Sequence, residues 1–352
     1  MTRRIAALAI AMAVVVAACG SSHMSSTSKA SKDTTVVLMT HDSFAVSKPV
    51  LAAFERASGI KVKVLKAGDA GAELNQAILT KDHPLADAMF GVDNTFLSRA
   101  LDNNIFEPYR AGDIGRVNGA FVLESHHRVT PVDYGDICLN YDKTWFGHDG
   151  RPAAPTSAGD LVKPAYKGLT VVENPASSSP GLGFLLATIA TYGDGGWQTY
   201  WANLRKNGVL VDDGWDQAYD GDFTVSGGKR PIVVSYASSP PADVVFSSPH
   251  RAVPRVGVVD TSCFRQVEFV GVLRGAKHPN AARRLVDFMI SEPFQRDVPL
   301  EMYVYPVRRD TPLPPVFTKF GALAPHPAGI APGEIGKHRD EWIKSWTNTV
   351  LH

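Results

Sequence analysis

The sequence carries almost no net charge. Thirty-six lysines and arginines face 35 acids, a formal balance of +1. The first 18 residues hold two arginines and no acid, so the remainder carries −1. A near-neutral body gives no support for nucleic acid as a partner. Long apolar runs are also missing. The longest, "IAALAIAMAVVVAA" at 5–18, has 14 residues, short of the roughly 20 that a membrane-spanning helix needs. Nothing later in the chain reaches that length. No G-x-S-x-G elbow occurs, so the usual nucleophile turn of a hydrolase is absent. The glycine-rich stretch near 181 is not followed by Gly-Lys-Ser/Thr, which excludes a Walker loop there. The aspartates of "DDGWDQAYDGD" (212–222) lack the spacing and closing glutamate of a calcium loop. No consecutive Tyr-Tyr pair and no internal repeat are present. Cysteine is scarce, with residues at 19, 138 and 263 only. The last two can pair in an exported protein or remain buried thiols, and their spacing decides neither.

What is present begins with a targeting segment. Arg3 and Arg4 precede the apolar run, the layout of a signal peptide over 1–18. The run ends in "VAAC", which resembles the lipobox of bacterial lipoproteins, in which Cys19 would be lipidated. The rival is plain cleavage after an A-x-A-like site. Residues 19–33 then form the lipid-anchor cysteine and a serine-rich linker with six serines. A lipid tethers a domain to the membrane without spanning it.

From residue 34 the chain alternates strand and helix signals. "TVVLMT", "IKVKVLKA" and "ADAMFGV" read as strands. "SKPVLAAFERASG" reads as a helix capped by Ser47, with Pro49 in its first turn and Gly59 at its end. Residues 71–80 and "NTFLSRAL" read as helices, the latter with Asp93 or Asn94 near its cap. Such repeats predict an α/β fold with a mostly parallel sheet. A second unit follows, with "GLTVVENP" and "KRPIVVSYA" as strands and "GLGFLLATIATYG" and "WQTYWANLRKNG" as helices. "RQVEFVGVL" (265–273) is a further strand, and 279–293 and the tail are helical.

In an open α/β sheet the loops at the carboxyl ends of the strands line the ligand crevice. Three such ends place polar groups together: "HDSF" (His41, Asp42), Asp69, and Asp93 with Asn94. As a triad, consecutive His41, Asp42 and Ser43 fail, because a hydrolase needs its groups to converge from separate places. "SSSPGLGFLL" (177–186) opens an apolar helix with Ser178 and Ser179, a place for an anion or a hydroxyl, or a plain cap. Trp215 and Tyr219, four apart among acids, suit an organic cation or a core. Tyr236 ends a strand of the second unit, and Tyr303 lies beside Tyr305, on one face if the segment is extended.

Taken together, "THDSFA" (40–45), "GVDN" (91–94), "VDYG" (132–135), "NYDK" (140–143), "SSSPGLGFLL", "GWDQAY" (214–219), "SYASSP" (235–240), "QVE" (266–268) and "YVYPV" (303–307) resemble the thiamine-binding periplasmic proteins of bacterial ABC importers. The likeness runs over about 34–350. It implies a two-lobed periplasmic-binding-protein fold with hinge strands between the lobes. Lobe 1 is expected at 34–133 plus 265–352 and lobe 2 at 134–264. Cys138 and Cys263 fall beside the crossing strands, which makes a disulfide plausible there. The resemblance implies ligand contacts at His41, Asp69, Ser178, Ser179, Trp215, Tyr236 and Tyr303, to which the reading of the residues adds Asp42, Asp93 and Tyr219.

It implies a monomer that binds thiamine or a thiamine phosphate, with no cofactor, no metal and no catalytic step. Its partners would be an ABC permease and, through Cys19, the membrane. Three positions depart from the pattern: His41 replaces a tyrosine, Tyr303 a tryptophan and Ala176 an arginine. Without that arginine, only serines and a helix terminus remain for a phosphate. An Fe(III) or polyamine binder of the same superfamily is the alternative, and an exported hydrolase is the alternative of another class.

Overall fold

The structure, a computed structural model, describes residues 34–352. The signal peptide expected at 1–18, Cys19 and the linker to residue 33 lie outside the described residues.

Three strand–helix units come first. β1 (Thr34–Thr40), β2 (Ile60–Lys66) and β3 (Ala88–Asp93) alternate with α1 (Lys48–Ser58), α2 (Ala70–Leu79) and α3 (Leu97–Asp102). β2 and β3 flank β1, both parallel to it. Every residue of β3 is buried, as expected of a parallel strand covered on both faces. Gly59 ends α1 with φ 68°, a conformation that glycine adopts without a Cβ penalty. Ser47 does not cap α1 with its side chain. Its backbone N–H instead donates to Asp297 Oδ2 at 2.7 Å.

Two long strands carry the chain between the halves. After β4 (Phe106–Glu107), β5 (Thr130–Asp142) leads into β6 (Thr170–Glu173), α4 (Ser179–Tyr192), α5 (Gly196–Lys206), β7 (Leu210–Asp212), β8 (Ile232–Tyr236) and α6 (Ser239–Phe246). β9 (Val256–Leu273) then returns, followed by α7 (Pro279–Met289), α8 (Glu292–Glu301), β10 (Tyr305–Pro306), α9 (Pro315–Phe320) and α10 (Pro332–Val350). The strand order is β2-β1-β3-β9-β5-β8-β6-β7, with β10 on β5 and β4 on β9. The outer strands of each half are parallel, and the central pair β5–β9 is antiparallel.

The register of that pair shifts twice, at Pro131/Asp133 and again along its middle. Ile137 pairs with Phe264, but Leu139 pairs with Val259. Cys138 and Cys263 form a disulfide at this break, with Cα atoms 4.4 Å apart. On the far side, α10 packs on α3 and on α5, so the tail helix touches both halves. Its Trp346 is fully buried and meets Trp201 edge-on at 5.5 Å.

Two local expectations are corrected. Residues 279–293 are not one helix. The chain breaks after Met289, and α8 restarts with a proline in its first turn. The Ser/Pro segment after Tyr236 opens α6, whose two prolines sit in the first turn, where no N–H is missed. α3 starts at Leu97, and Asp93 caps the preceding turn by accepting from the N–H groups of Thr95 and Phe96.

Candidate functional site

The carboxyl ends of β1, β2, β6 and β8 converge on a cavity of about 530 Å³ between the two halves of the sheet. One wall is aromatic. The rings of Trp215 and Tyr219 stack at 4.8 Å and 15°. A π-helical turn, Gln217–Asp222, sets Tyr219 one turn after Trp215 and turns it inward. Trp215 Nε1 donates to Ser235 Oγ at 2.9 Å, which fixes the indole plane. Tyr236 closes the floor and donates its hydroxyl to Gln266 Oε1 at 2.7 Å.

Among the charged residues of the lining, acids dominate. Asp42, Asp69, Asp216, Asp220, Glu268 and Glu301 face the cavity, against Lys66 and His41. The Lys66 ammonium is held by the Asp42 carbonyl. Burial pushes His41 below the ordinary histidine range, against the pull of Asp69, Asp133 and Asp216. It therefore faces the cavity as a neutral imidazole at pH 7. The electrostatics of such a wall favour a cation, with flat aromatic faces to receive it.

Asp69 ties the two halves together. Its Oδ1 caps α2 through the Ala70 N–H at 2.7 Å, and its Oδ2 accepts from the Trp215 N–H at 3.0 Å. Ser43 donates to Asp216 Oδ1 at 2.6 Å across the same gap. The Gly71 N–H donates to the Ser177 carbonyl, and a Cβ at Gly71 would lie 2.7–2.8 Å from the carbonyls of Ala176 and Ser177. Only glycine allows this approach.

The structure sorts the candidate residues. His41, Asp42, Asp69, Ser179, Trp215, Tyr219, Tyr236 and Tyr303 line the cavity. Asp93 and Ser178 do not. Both are fully buried behind it, because β3 ends one layer below the floor and Ser178 occupies the N-cap of α4. The hydroxyls of Ser178 and Ser179 lie near the carboxyls of Asp69 and Asp93 and favour their charged forms, without closing bonds of good geometry. The start of α4 thus already faces two carboxyls of the protein. Tyr303 and Tyr305 do not share a face. Tyr303 has φ 56° and turns into the cavity, whereas Tyr305 stacks on Tyr134 outside it. Sequence reasoning missed Gln266 and Glu268, although "QVE" was visible as a motif. It also missed Phe246, hidden in an unrecognised helix.

A family model described as bacterial extracellular solute-binding protein matches residues 83–319. The chain belongs to that family. This solute-binding protein is 29% identical over 320 residues to the thiamine-binding periplasmic protein of Escherichia coli (strain K12), covering 90% of this chain and 93% of the relative. It is 30% identical over 325 residues to the thiamine-binding periplasmic protein of Brucella suis biovar 1 (strain 1330), covering 89% and 91%. A solved structure titled periplasmic thiamin binding protein superposes with a TM-score of 0.78 at 26% identity, covering 90% of this chain and 96% of that one. The fold is thus the two-lobed one of periplasmic binding proteins, with β5 and β9 crossing between lobes. Its role is to bind a small solute outside the cytoplasm for ABC import.

At the mouth of the solute-binding protein's cleft, Phe246 of α6 meets Tyr303 at 5.1 Å, although Phe246 is 69% exposed. Such a pair is worth about 0.5–1.5 kcal/mol. Phe246→Ala is expected to speed ligand release about fivefold with little change in the association rate. Stopped-flow fluorescence checks this, and an unchanged release rate would remove Phe246 from the gate.

Proposed function

We propose that this protein binds thiamine in the interlobe cleft, in preference to its phosphate esters, and delivers it to an ABC permease as a monomeric lipoprotein anchored through Cys19. Lobe boundaries near 133/134 and 264/265 accompany this reading. The observation that carries it is the pairing of the Trp215–Tyr219 wall with an acid lining. The thiazolium is a flat cation and fits both features. A phosphate fits less well, since six acids of the lining outnumber the single Lys66, His41 is neutral and no arginine lines the cavity. The names of the relatives support the same ligand.

Acids beside aromatics also suit a polyamine. A metal site has less support, because among the described residues no group of three or more histidines, cysteines or acids is placed to hold an ion. Thermal unfolding with thiamine, its monophosphate, its pyrophosphate and spermidine separates these readings. At 100 times its Kd a ligand stabilises by about 2.7 kcal/mol. The largest shift is expected with thiamine. A larger shift with spermidine, or with either phosphate, would replace this reading.

A further inference from the structure

Under the cleft floor three acids stand side by side on three adjacent strands. Asp93 on β3 is the register partner of Glu268 on β9, and Asp133 on β5 is its partner on the other side. Asp93 and Asp133 are fully buried, and Glu268 is 8% exposed, through the cavity. Like charges directly opposite across strands repel, so a row of three has to hold protons unless a cation joins it. None does among the described residues. Among the described residues no lysine or arginine forms an ion pair with Asp93, Asp133, Glu268 or the neighbouring Glu73.

The groups facing Glu268 are few. From the loop after β1, His41 Nε2 lies 3.4 Å from its Oε1. From α2 come Asp69 and the fully buried Glu73, neither oxygen of which finds a donor. β8 contributes Tyr236, and Asp42 and Lys66 lie farther out on the lining. A second, independent feature marks the place as a ligand contact. Gln266 is 98% buried and lines the cavity, its oxygen holds the Tyr236 hydroxyl, and its Nε2 donor has no partner.

We infer that Glu268, backed by Asp133 and Asp93, is the counter-charge of the bound cation, and that binding exchanges a proton for the ligand. The step balances: the Glu268 O–H bond breaks, its proton leaves to solvent through the cleft, and the carboxylate remains facing the cationic ring. Burial supports this by holding the empty-site carboxyl up to about 8, so it is protonated at neutral pH. The sign follows. The ligand favours the charged form, so affinity rises with pH up to about 8 and levels beyond it, by at most about tenfold per pH unit.

This inference rests on the cation reading above. The test is calorimetric titration of thiamine into the full chain in phosphate and in Tris, at pH 6 to 8.5. About one proton should be released per ligand near pH 7, seen as a binding enthalpy that depends on the buffer. Glu268→Gln should abolish the release and flatten the pH profile. Should Glu268→Gln fail to fold, Asp93→Asn provides the second variant: it removes an acid that holds the Glu268 carboxyl up and should reduce the release. Buffer-independent heat in the parent chain, or release that survives Glu268→Gln, would overturn the inference while leaving thiamine as ligand. No heat in either buffer would overturn both.

Discussion

Trp215→Ala is expected to weaken thiamine binding about 100-fold while leaving the protein folded. The indole is held from two directions, by its stack on Tyr219 and by the bond from Nε1 to Ser235. It is therefore an ordered surface before ligand arrives, and little freedom is lost when a ring settles on it. Truncation removes a cation–π face and apolar contact at once. Buried aromatic anchors of this kind cost about 2–4 kcal/mol when cut to alanine, which at about 1.4 kcal/mol per decade gives the factor stated. The bond from the Trp215 N–H to Asp69 belongs to the backbone and survives, so the lobes stay tied. Trp215→Phe keeps a ring and should lose less than tenfold. Intrinsic fluorescence or calorimetry measures both, and a Kd within threefold of the parent for the alanine variant would show that this wall does not hold the ligand.

The largest stability effect is expected from opening the disulfide. Cys138 and Cys263 are 125 residues apart and lie on the two strands that link the lobes. Closing so long a loop removes much freedom from the unfolded chain, and losing a native disulfide costs about 2–5 kcal/mol. The paired Cys138→Ser, Cys263→Ser variant should melt about 5–10 °C lower. Both sulfurs are buried in a small cluster with Ala237 and Ala324, away from the cavity lining. Thiamine affinity should therefore change little. An unchanged Tm in the serine variant would show that the crossing strands hold without the bond.

The framework of the cleft was legible because parallel strands aim their carboxyl ends the same way. His41 and Asp69 were placed by that rule, Trp215 and Tyr236 by the family resemblance, and Tyr219 by its spacing from Trp215. What escaped depends on long-range register. Asp93, Glu268 and Asp133 come from three distant stretches, and only the pairing of β9 with both β3 and β5 sets them in a row. No local spacing announces that. Phe246 was missed because it ends a short helix that opens on a serine and two prolines, residues that fit a first turn but carry no apolar period. Tyr303 and Tyr305 were given one face by alternation, which a residue at φ 56° breaks. His41, which stands where the family has a tyrosine, is kept a neutral ring by its burial, against the pull of the carboxyls around it.

Calorimetric titration of the purified full chain with thiamine and with thiamine monophosphate tests the central claim most directly. The account predicts one thiamine per chain with a Kd at least tenfold below that of the monophosphate, because the cleft supplies aromatic faces and six acids against a single lysine. Equal or tighter binding of the monophosphate, or no heat with either, would contradict it.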